Sequence, residues 1–395
     1  MTTKLLSEIS TNISSGLTPL RSNAEFWENG TIPWLKTEQL GEKYIYETNE
    51  HISEAALEKT SIKLFPENSL SIAMYGEGKT RGNLSILKKA MATNQACCNV
   101  VIDPSKADFE YVYYFLKTQY DELRNLSSGV RKNLNSNDIK NYPIRLPENL
   151  DNQKRIANVL NALDKKIELN NRINAELEAM AKTLYDYWFV QFDFPDANGK
   201  PYKTSGGKMV YNPTLKREIP EGWSDGTLGE IAELYQPKTI SEKEMAEDGE
   251  FLVYGANGIV GRYDQYNHEQ SVVAVTCRGN SCGEINVTRP FSWITGNAMV
   301  VKTDSHFLPP TYIYNLLRSA GLENVITGSA QPQITRTNLA PMRIIRPAEK
   351  VLTGYAEFVK PNFEKRMAIL DENEKLEKLR DWLLPMLMNG QVTVK

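Results

Sequence analysis

Cysteine, histidine and long apolar runs are scarce in this 395-residue sequence. It has four cysteines and three histidines. No two cysteines have the Cys-x-x-Cys spacing of a zinc or redox site, so the sequence predicts neither a metal centre nor a disulfide framework. No apolar run approaches the roughly 18 residues of a membrane-spanning helix, and the N-terminus lacks the pattern of a signal peptide. We therefore expect a soluble, cytoplasmic protein that does not act at a membrane.

An excess of positive charge is missing too. The chain has 46 Lys and Arg against 49 Asp and Glu, a net charge of −3, whereas a nucleic-acid-binding domain is usually basic. This balance does not exclude DNA binding, because the charge on one face decides it. It predicts modest affinity for the chain alone, or help from partners. The length favours two or three domains.

What the sequence does have is a long helical pattern in its middle, from Asn152 to Phe189. Apolar residues recur there at spacings of three and four without a proline or glycine, which predicts one α-helix of roughly 57 Å with a coiled-coil seam. Asn170 is polar at a seam position, and we interpret it as fixing the helix register. The same spacing returns from Tyr355 to Met386, so a second long helix is the expected antiparallel partner. Its predicted seam includes Leu376, Leu379 and Leu383.

The two halves of the chain repeat each other. The run Leu6-Ser7-Glu8-Ile9 matches Leu228-Gly229-Glu230-Ile231 at an offset of 222 (228 − 6), and Ile139 matches Leu339 at an offset of 200 (339 − 139). An ordered series of such matches indicates a tandem duplication with pseudo-twofold symmetry. The predicted fold class is α+β, with two mixed α/β domains separated by two long antiparallel coiled-coil helices.

The predicted segments follow from this repeat. They are a first domain over residues 1–150, a central helix over 151–190, a connector over 191–222 with a flexible Ser205-Gly206-Gly207, a second domain over 223–347 and a C-terminal helix over 348–395. The first domain should contain strands at Ile32–Lys36, Ser69–Tyr75, Ala96–Ile102 and Tyr142–Leu146, and a helix from the N-cap Asp108 to about Leu126.

Several stretches resemble the specificity (S) subunit of Type I restriction-modification enzymes. They are Ile32-Pro33-Trp34-Leu35-Lys36-Thr37, Ile52-Ser53-Glu54-Ala55-Ala56-Leu57, Thr93-Asn94-Gln95-Ala96, Gln153-Lys154-Arg155-Ile156-Ala157, Tyr187-Trp188-Phe189 with Phe192-Asp193-Phe194-Pro195, and Ile219-Pro220-Glu221-Gly222-Trp223. The resemblance covers nearly the whole chain, including its duplicated layout, although the first half lacks the Pro-Glu-Gly-Trp opening.

The resemblance implies a function in DNA recognition. It implies two target-recognition domains, each reading one half of a bipartite site in double-stranded DNA, and two helices that set the gap between the half-sites. It also implies two methyltransferase (M) subunits, which modify adenine, and restriction (R) subunits as partners. The crowded aromatic end of the central helix and Trp382 to Met388 would be candidates for docking them. S-adenosylmethionine would be held by the M subunits, and this chain would have no cofactor and no catalysis of its own.

Polar residues on the predicted loops are the candidates for contacting DNA. The loop Gly129-Val130-Arg131-Lys132-Asn133 of the first half differs from its counterpart Gly328 to Gln333 in the second. Arginine suits guanine edges, asparagine and glutamine suit adenine, and all of them can bind phosphate. An ordinary surface loop could have this composition, so the duplicated scaffold is what favours the DNA interpretation. The candidates are Lys36, Thr37, Lys79, Thr80, Arg81, Arg131, Lys132, Asn133, Asn257, Arg278, Gln331, Gln333 and Arg336.

Three other motifs would place the chain in a different class. Gly76-Glu77-Gly78-Lys79-Thr80 resembles the end of a Walker A loop, but Ala73 stands where glycine is needed and Arg81-Gly82-Asn83 starts a helix poorly. Asn141-Tyr142-Pro143-Ile144 has the residues of an adenine-methyltransferase motif in the wrong order. The glycines around Asn257 fit a tight turn better than a phosphate loop. The alternatives are a P-loop nucleotide-binding enzyme, a methyltransferase, or a coiled-coil interaction protein without a DNA role.

Overall fold

The computed structural model describes residues 1–76, 80–126, 134–246, 248–255, 258–304, 307–328 and 331–394. Its packing divides into two units. The first consists of Met1–Glu168 with Glu374–Lys395, and the second of Leu169–Asn373. Each unit therefore contains one of the two repeated domains and a part of each long helix.

The first unit is built around a five-stranded mixed sheet with two smaller sheets beside it. Its strands are β1 (Thr2–Leu5), β2 (Ser10–Ser15), β3 (Ile32–Leu35), β4 (Tyr44–Ile45), β5 (Glu50–Ile52), β6 (Leu70–Ala73), β7 (Leu84–Leu87), β8 (Ala92–Thr93), β9 (Cys97–Ile102) and β10 (Pro143–Leu146). Its helices are α1 (Glu54–Lys59), α2 (Phe109–Thr118), α3 (Tyr120–Asn125), α4 (Ser136–Lys140) and the first part of α5 (Leu150–Tyr185). The sheets have the orders β2-β9-β6-β7-β4, β5-β3-β8 and β1-β10. The predicted strands and the predicted N-cap are confirmed: Asp108 accepts the N–H of Tyr111 at 2.9 Å.

The second unit repeats this arrangement with a main sheet of four strands instead of five. Its strands are β11 (Met209–Asn212), β12 (Arg217–Pro220), β13 (Ser224–Thr227), β14 (Glu233–Tyr235), β15 (Phe251–Gly255), β16 (Gly258–Tyr263), β17 (Val273–Thr276), β18 (Ile285–Val287), β19 (Trp293–Ile294), β20 (Ala298–Lys302) and β21 (Arg343–Arg346). Its helices are α6 (Leu228–Ile231), α7 (Pro310–Ala320), α8 (Arg336–Leu339) and, with the end of α5, most of α9 (Glu349–Met388). The main sheet has the order β14-β20-β17-β18, beside β16-β15-β19 and the pairs β13-β21 and β11-β12.

The internal repeat is confirmed at the level of single backbone hydrogen bonds. Leu6 donates its N–H to the carbonyl of Tyr142 at 2.9 Å, and Leu228 donates to the carbonyl of Met342 at 2.9 Å. These pairs preserve the offsets of 222 (228 − 6) and 200 (342 − 142) that the sequence matches have. The two domains are therefore copies of one scaffold with loops of different length.

The two long helices run antiparallel. In the second unit Asn170 of α5 contacts Asn373 of α9, and Glu178 contacts Arg366 at 2.6 Å. In the first unit Asp164 contacts Arg380 at 3.1 Å. The predicted α5 seam is confirmed, because every predicted apolar seam residue is buried or half-buried.

One seam prediction for α9 is wrong. Leu379 is 42% exposed. Arg380 takes the place facing α5, because its guanidinium pairs with the largely buried carboxylate of Asp164. A charged pair has displaced the apolar contact there.

The predicted connector contains regular structure and buried side chains. β11 and β12 form an antiparallel hairpin within it. Asp193 accepts hydrogen bonds from the N–H and the hydroxyl of Thr204, both at 2.7 Å. Phe192 is 1% exposed and packs edge-on against Trp223. The aromatic rings at the start of this segment therefore belong to the core of the second unit.

The aromatic end of α5 is also part of this core. After Tyr185 the helix continues as a π-helical segment, Asp186–Val190. This turn buries Trp188 and Phe189 against Tyr355 of α9. The rings that the sequence offered as partner-docking candidates are therefore largely used inside the unit.

Candidate nucleic-acid interface

In the first unit, one residue joins two loops at the end of a fully buried strand. β6 is buried over its whole length, and Met74 follows it. Met74 donates its N–H to the carbonyl of Ala96 at 2.8 Å, and its own carbonyl accepts the N–H of Leu134 at 3.2 Å. The backbone of Met74 thus fixes both the turn before β9 and the end of the loop that leads to α4.

The second unit repeats this junction. Cys277 follows the buried strand β17, donates its N–H to the carbonyl of Asn297 at 3.1 Å and accepts the N–H of Ile334 at 3.0 Å. We call Met74 and Cys277 the hub residues. Each hub residue donates one backbone hydrogen bond and accepts another from equivalent loops. Three loop segments are therefore held together at the same edge of the main sheet in each unit.

The second-unit hub brings four of the predicted DNA-contacting residues together. Arg278, directly after the hub, pairs through its backbone with Gln333. Gln333 exchanges two hydrogen bonds with Thr327, at 2.8 and 2.9 Å, which closes the loop. Arg336 begins α8 immediately after the N-cap Thr335. The side chains of Arg278, Gln331, Gln333 and Arg336 are all exposed. We call these four residues the second-domain polar cluster.

The charge of this cluster is available for an external anion. Among the residues that the structure describes, no carboxylate forms an ion pair with Arg278 or Arg336. Two arginines and two glutamines on an ordered backbone have the donors that phosphates and base edges accept. The arrangement can therefore bind an extended anionic partner such as a nucleic-acid strand.

Unlike the arginines of the second-domain polar cluster, Lys36 lies between two carboxylates. Its ammonium lies 2.7 Å from Glu38 and 2.8 Å from Glu50, and these hydrogen bonds, first that of Glu38, raise the pKa of Lys36 above its ordinary value. Two carboxylates already compensate its charge. The neighbouring Thr37 is half-buried in a short 3₁₀ turn. Neither residue joins the first-unit hub in any hydrogen bond among the described residues.

A turn and then a strand follow the incomplete Walker A motif. Thr80 accepts the N–H of Asn83 in a turn at 3.0 Å, Thr80 and Arg81 are half-buried, and β7 begins at Leu84. A P-loop needs a helix directly after the threonine, because the helix N-terminus binds the phosphates. The turn and strand here do not fit that function.

Five of the predicted site residues lie outside the described residues. They are Lys79, Arg131, Lys132, Asn133 and Asn257. Of the motif around Asn257, the structure describes the glycines on either side. Gly255 pairs with Gly258 across the β15–β16 hairpin, and Gly258 has a φ of 78°.

Sequence reasoning missed the turn that each hub residue holds. In the second unit Asn297 is exposed, and Gln236 donates to the carbonyl of Gly296 at 3.2 Å. A Cβ on Gly296 would lie 2.5 Å from Thr239 Oγ1, so glycine permits the close approach of the segment after β14. The backbone hydrogen bonds align Thr93-Asn94-Gln95-Ala96 with Ile294-Thr295-Gly296-Asn297, and these two stretches share no residue at matching positions, so no sequence match marks the turn.

Asn170 lies in the buried helix contact of the second unit. It is 1% exposed and donates from Nδ2 to Glu372 Oε2 at 2.9 Å and to Asn373 Oδ1 at 2.8 Å. Asn373 donates in turn to Asn171 Oδ1 at 2.8 Å. Buried amides with specific partners across the pair can favour one register over its neighbours.

Other reactive groups are held inactive by burial. Desolvation raises the pKa of Cys98 to about 11 and that of Cys97 to about 12, so neither forms a thiolate near neutral pH. In the described part of the chain, no group of three or more His, Cys, Asp or Glu side chains could hold a metal ion. Of the helices that the structure describes, none is long and apolar enough to span a membrane.

The chain is similar to known proteins over almost its whole length. The family model described as "Type I restriction modification DNA specificity domain" matches residues 1–179 and 220–366. The Type I restriction enzyme MjaIX specificity subunit of Methanocaldococcus jannaschii is 28% identical over 410 residues, which cover 97% of this chain and 91% of that one. The Type I restriction enzyme EcoprrI specificity subunit of Escherichia coli is 25% identical over 360 residues, covering 85% and 81% of the two chains.

A solved structure has the same fold. It is the crystal structure of the Type-I restriction-modification system S subunit from M. genitalium, with a TM-score of 0.62, 18% sequence identity and coverage of 98% of this chain and 95% of that one.

Proposed function

This chain belongs to the family of Type I restriction modification DNA specificity domains, and on that premise we propose that it is the DNA-reading subunit of a Type I restriction-modification complex. Each of its two domains reads one half of a bipartite site in double-stranded DNA. The complex acts in the cytoplasm, where it meets the DNA. The second-domain polar cluster contacts DNA in one half-site, and Thr37, Lys79, Thr80, Arg81, Arg131, Lys132 and Asn133 are the candidates in the other.

The observation that supports this proposal most strongly is the repeated hub with different exposed side chains. Met74 and Cys277 make the same two backbone hydrogen bonds, so the scaffold is preserved. The exposed residues around them are not. A conserved frame with exchanged surface residues is what two readers of two different sequences require, because phosphate contacts position a domain and side chains at base edges specify the sequence.

The partners follow from the same proposal. Two methyltransferase subunits, which bind S-adenosylmethionine and modify adenine, and restriction subunits assemble with this chain. Trp382, on the C-terminal part of α9, is 62% exposed and is the residue we propose for contact with a partner. Leu387 and Met388 are each only 1% exposed in the first unit, so this part of the predicted docking segment packs internally. The net charge of −3 is compatible with partners that supply further DNA affinity.

The chain itself performs no chemistry in this proposal. The turn and strand after Thr80 do not suit a nucleotide-binding loop. Asn141 and Pro143, from the incomplete methyltransferase motif, end α4 and begin β10. These residues build the scaffold. A binding assay of the purified chain with ATP and with S-adenosylmethionine tests the enzyme alternatives, and measurable affinity for either would favour them.

The central experiment maps methylated adenines genome-wide in cells that express this chain with its methyltransferase partner. We expect one bipartite motif. Exchange of residues Lys4–Leu150 for the equivalent domain of a relative should change one half of the motif and leave the other unchanged. Two changed halves would contradict independent reading. No methylation motif, together with no salt-dependent DNA binding by the complex, would favour a coiled-coil interaction protein.

A further inference from the structure

The residue after each hub residue has the same place in both units. The last residues of β6 and β17 each accept an N–H from a glycine across the following loop at 2.9 Å. The pairs are Ala73 with Gly82 and Thr276 with Gly283. Each hub residue then makes its two loop contacts. Tyr75 in the first unit and Arg278 in the second are therefore equivalent, although the sequences around them do not align by residue type.

Both side chains are exposed on a backbone that is fixed nearby. Tyr75 is 39% exposed and Arg278 is exposed. Each follows a hub residue with two loop hydrogen bonds, and the backbone of Arg278 also pairs with Gln333. A side chain on a preorganised backbone can discriminate between partners, because it cannot move to accommodate the wrong one. These two positions thus combine exposure with rigidity.

The two side chains have different chemistry. A guanidinium can donate two parallel hydrogen bonds to O6 and N7 of guanine, and no other base offers that pair of acceptors in the major groove. A tyrosine ring cannot do this. Its apolar face suits the C5-methyl group of thymine, as other apolar side chains do. The same position in the scaffold would therefore select different bases in the two half-sites.

Building on the function proposed above, we propose that Tyr75 and Arg278 are corresponding specificity-determining residues of the two domains. Arg278 requires a guanine in the half-site of the second domain. Tyr75 selects a thymine at the corresponding place in the half-site of the first domain.

The test uses the full chain expressed with its methyltransferase partner and genome-wide mapping of methylated adenines. Arg278→Gln should replace guanine by adenine at one position of one half-site, because glutamine pairs with the N6 and N7 of adenine. The preference for guanine at that position should fall about 10- to 100-fold. Tyr75→Arg should replace thymine by guanine at one position of the other half-site, whereas Tyr75→Phe should keep thymine. As a matched control, Arg343→Gln, at an exposed arginine on β21, should leave the whole motif unchanged.

Binding of the purified complexes to duplexes with each base at each site position makes the result independent of activity in cells. If Arg278→Gln weakens binding equally for all four bases at every position, Arg278 contacts phosphate and the inference is overturned. The inference is also overturned if Arg278→Gln and Tyr75→Arg both leave the motif unchanged. In either case a bipartite motif of the wild-type complex still supports the proposed function, and only the absence of that motif would contradict both.

Discussion

Replacing Asn170 should destabilise the second unit and reveal whether the helix pair has one register. Asn170→Leu removes two donated hydrogen bonds, at 2.9 and 2.8 Å. It leaves Oδ1 of Asn373, a residue only 6% exposed, without this donor. A buried polar group that loses its partner costs about 1–3 kcal/mol. In a unit of this size each kcal/mol lowers the melting temperature by roughly 2–4 °C, so a loss of about 2 kcal/mol corresponds to about 4–8 °C.

The double variant Asn170→Leu with Asn373→Leu separates stability from register. Two leucines restore an apolar contact, so we expect this variant to recover at least the stability lost in each single variant, with a coupling free energy of about 1–3 kcal/mol. If the amides fix the register, their removal should also allow more than one alignment of α5 against α9. Mapping of methylated sites should then show more than one gap length between unchanged half-sites.

Urea unfolding of the purified chains measures the coupling, and Asn158→Leu, at an exposed position of the same helix, serves as the control with an effect within about 0.5 kcal/mol. If the double variant loses as much stability as the two single variants together, Asn170 and Asn373 are not energetically coupled, which would contradict this prediction. A stable double variant with a single, wild-type gap would show that the apolar seam alone sets the register.

Three further predictions concern spacing, pH and charge. Insertion of one heptad after Ile167 in α5 together with one after Leu376 in α9 lengthens the helix pair by about 10 Å and keeps the seam in phase. Methylation mapping should then show a gap between the half-sites that is longer by up to about three base pairs. An unchanged gap would mean that the helices do not set the distance between the half-sites. Burial lowers the pKa of His268 from 6.5 to about 4. Because the unfolded imidazole takes up a proton below pH 6.5 and the folded one only near pH 4, the free energy of unfolding should fall by up to about 3 kcal/mol as the pH falls through this window. Urea titrations at several pH values should show that His268→Gln lacks this pH-dependent contribution. Asp164→Asn should reduce the free energy of unfolding by about 1–3 kcal/mol, because it removes the largely buried carboxylate that Lys43 and Arg380 share and leaves them only Glu110 and Asp381. An effect below about 0.5 kcal/mol, as expected of an exposed pair, would contradict this.

The sequence predicts several residues of the candidate site from their type, but it does not show which residues lie next to them in the folded chain. Arg278 and Gln333 were identified as polar loop residues, because their side chains are expensive to bury without partners. Nothing in the sequence shows that a backbone bridge joins them across 55 residues (333 − 278). Lys36 was identified in the same way, as a polar residue, yet its ammonium already forms ion pairs with Glu38 and Glu50. Whether a charged side chain is available to bind DNA depends on the side chains that surround it in the fold. The periodicity of the sequence does not show which side chains these are.

The sequence by itself determined the duplicated layout, the long antiparallel helices and the polar place of Asn170 in their seam. These features follow from local periodicity and from matches between the two halves, and both can be read directly from the sequence. Only the tertiary structure decided that Met74 and Cys277 are the junctions of the loops, that Tyr75 corresponds to Arg278, and that Arg380 replaces Leu379 at the helix contact. These outcomes depend on hydrogen bonds and ion pairs between residues far apart in the chain, and such pairings are fixed when the core packs rather than by the local sequence.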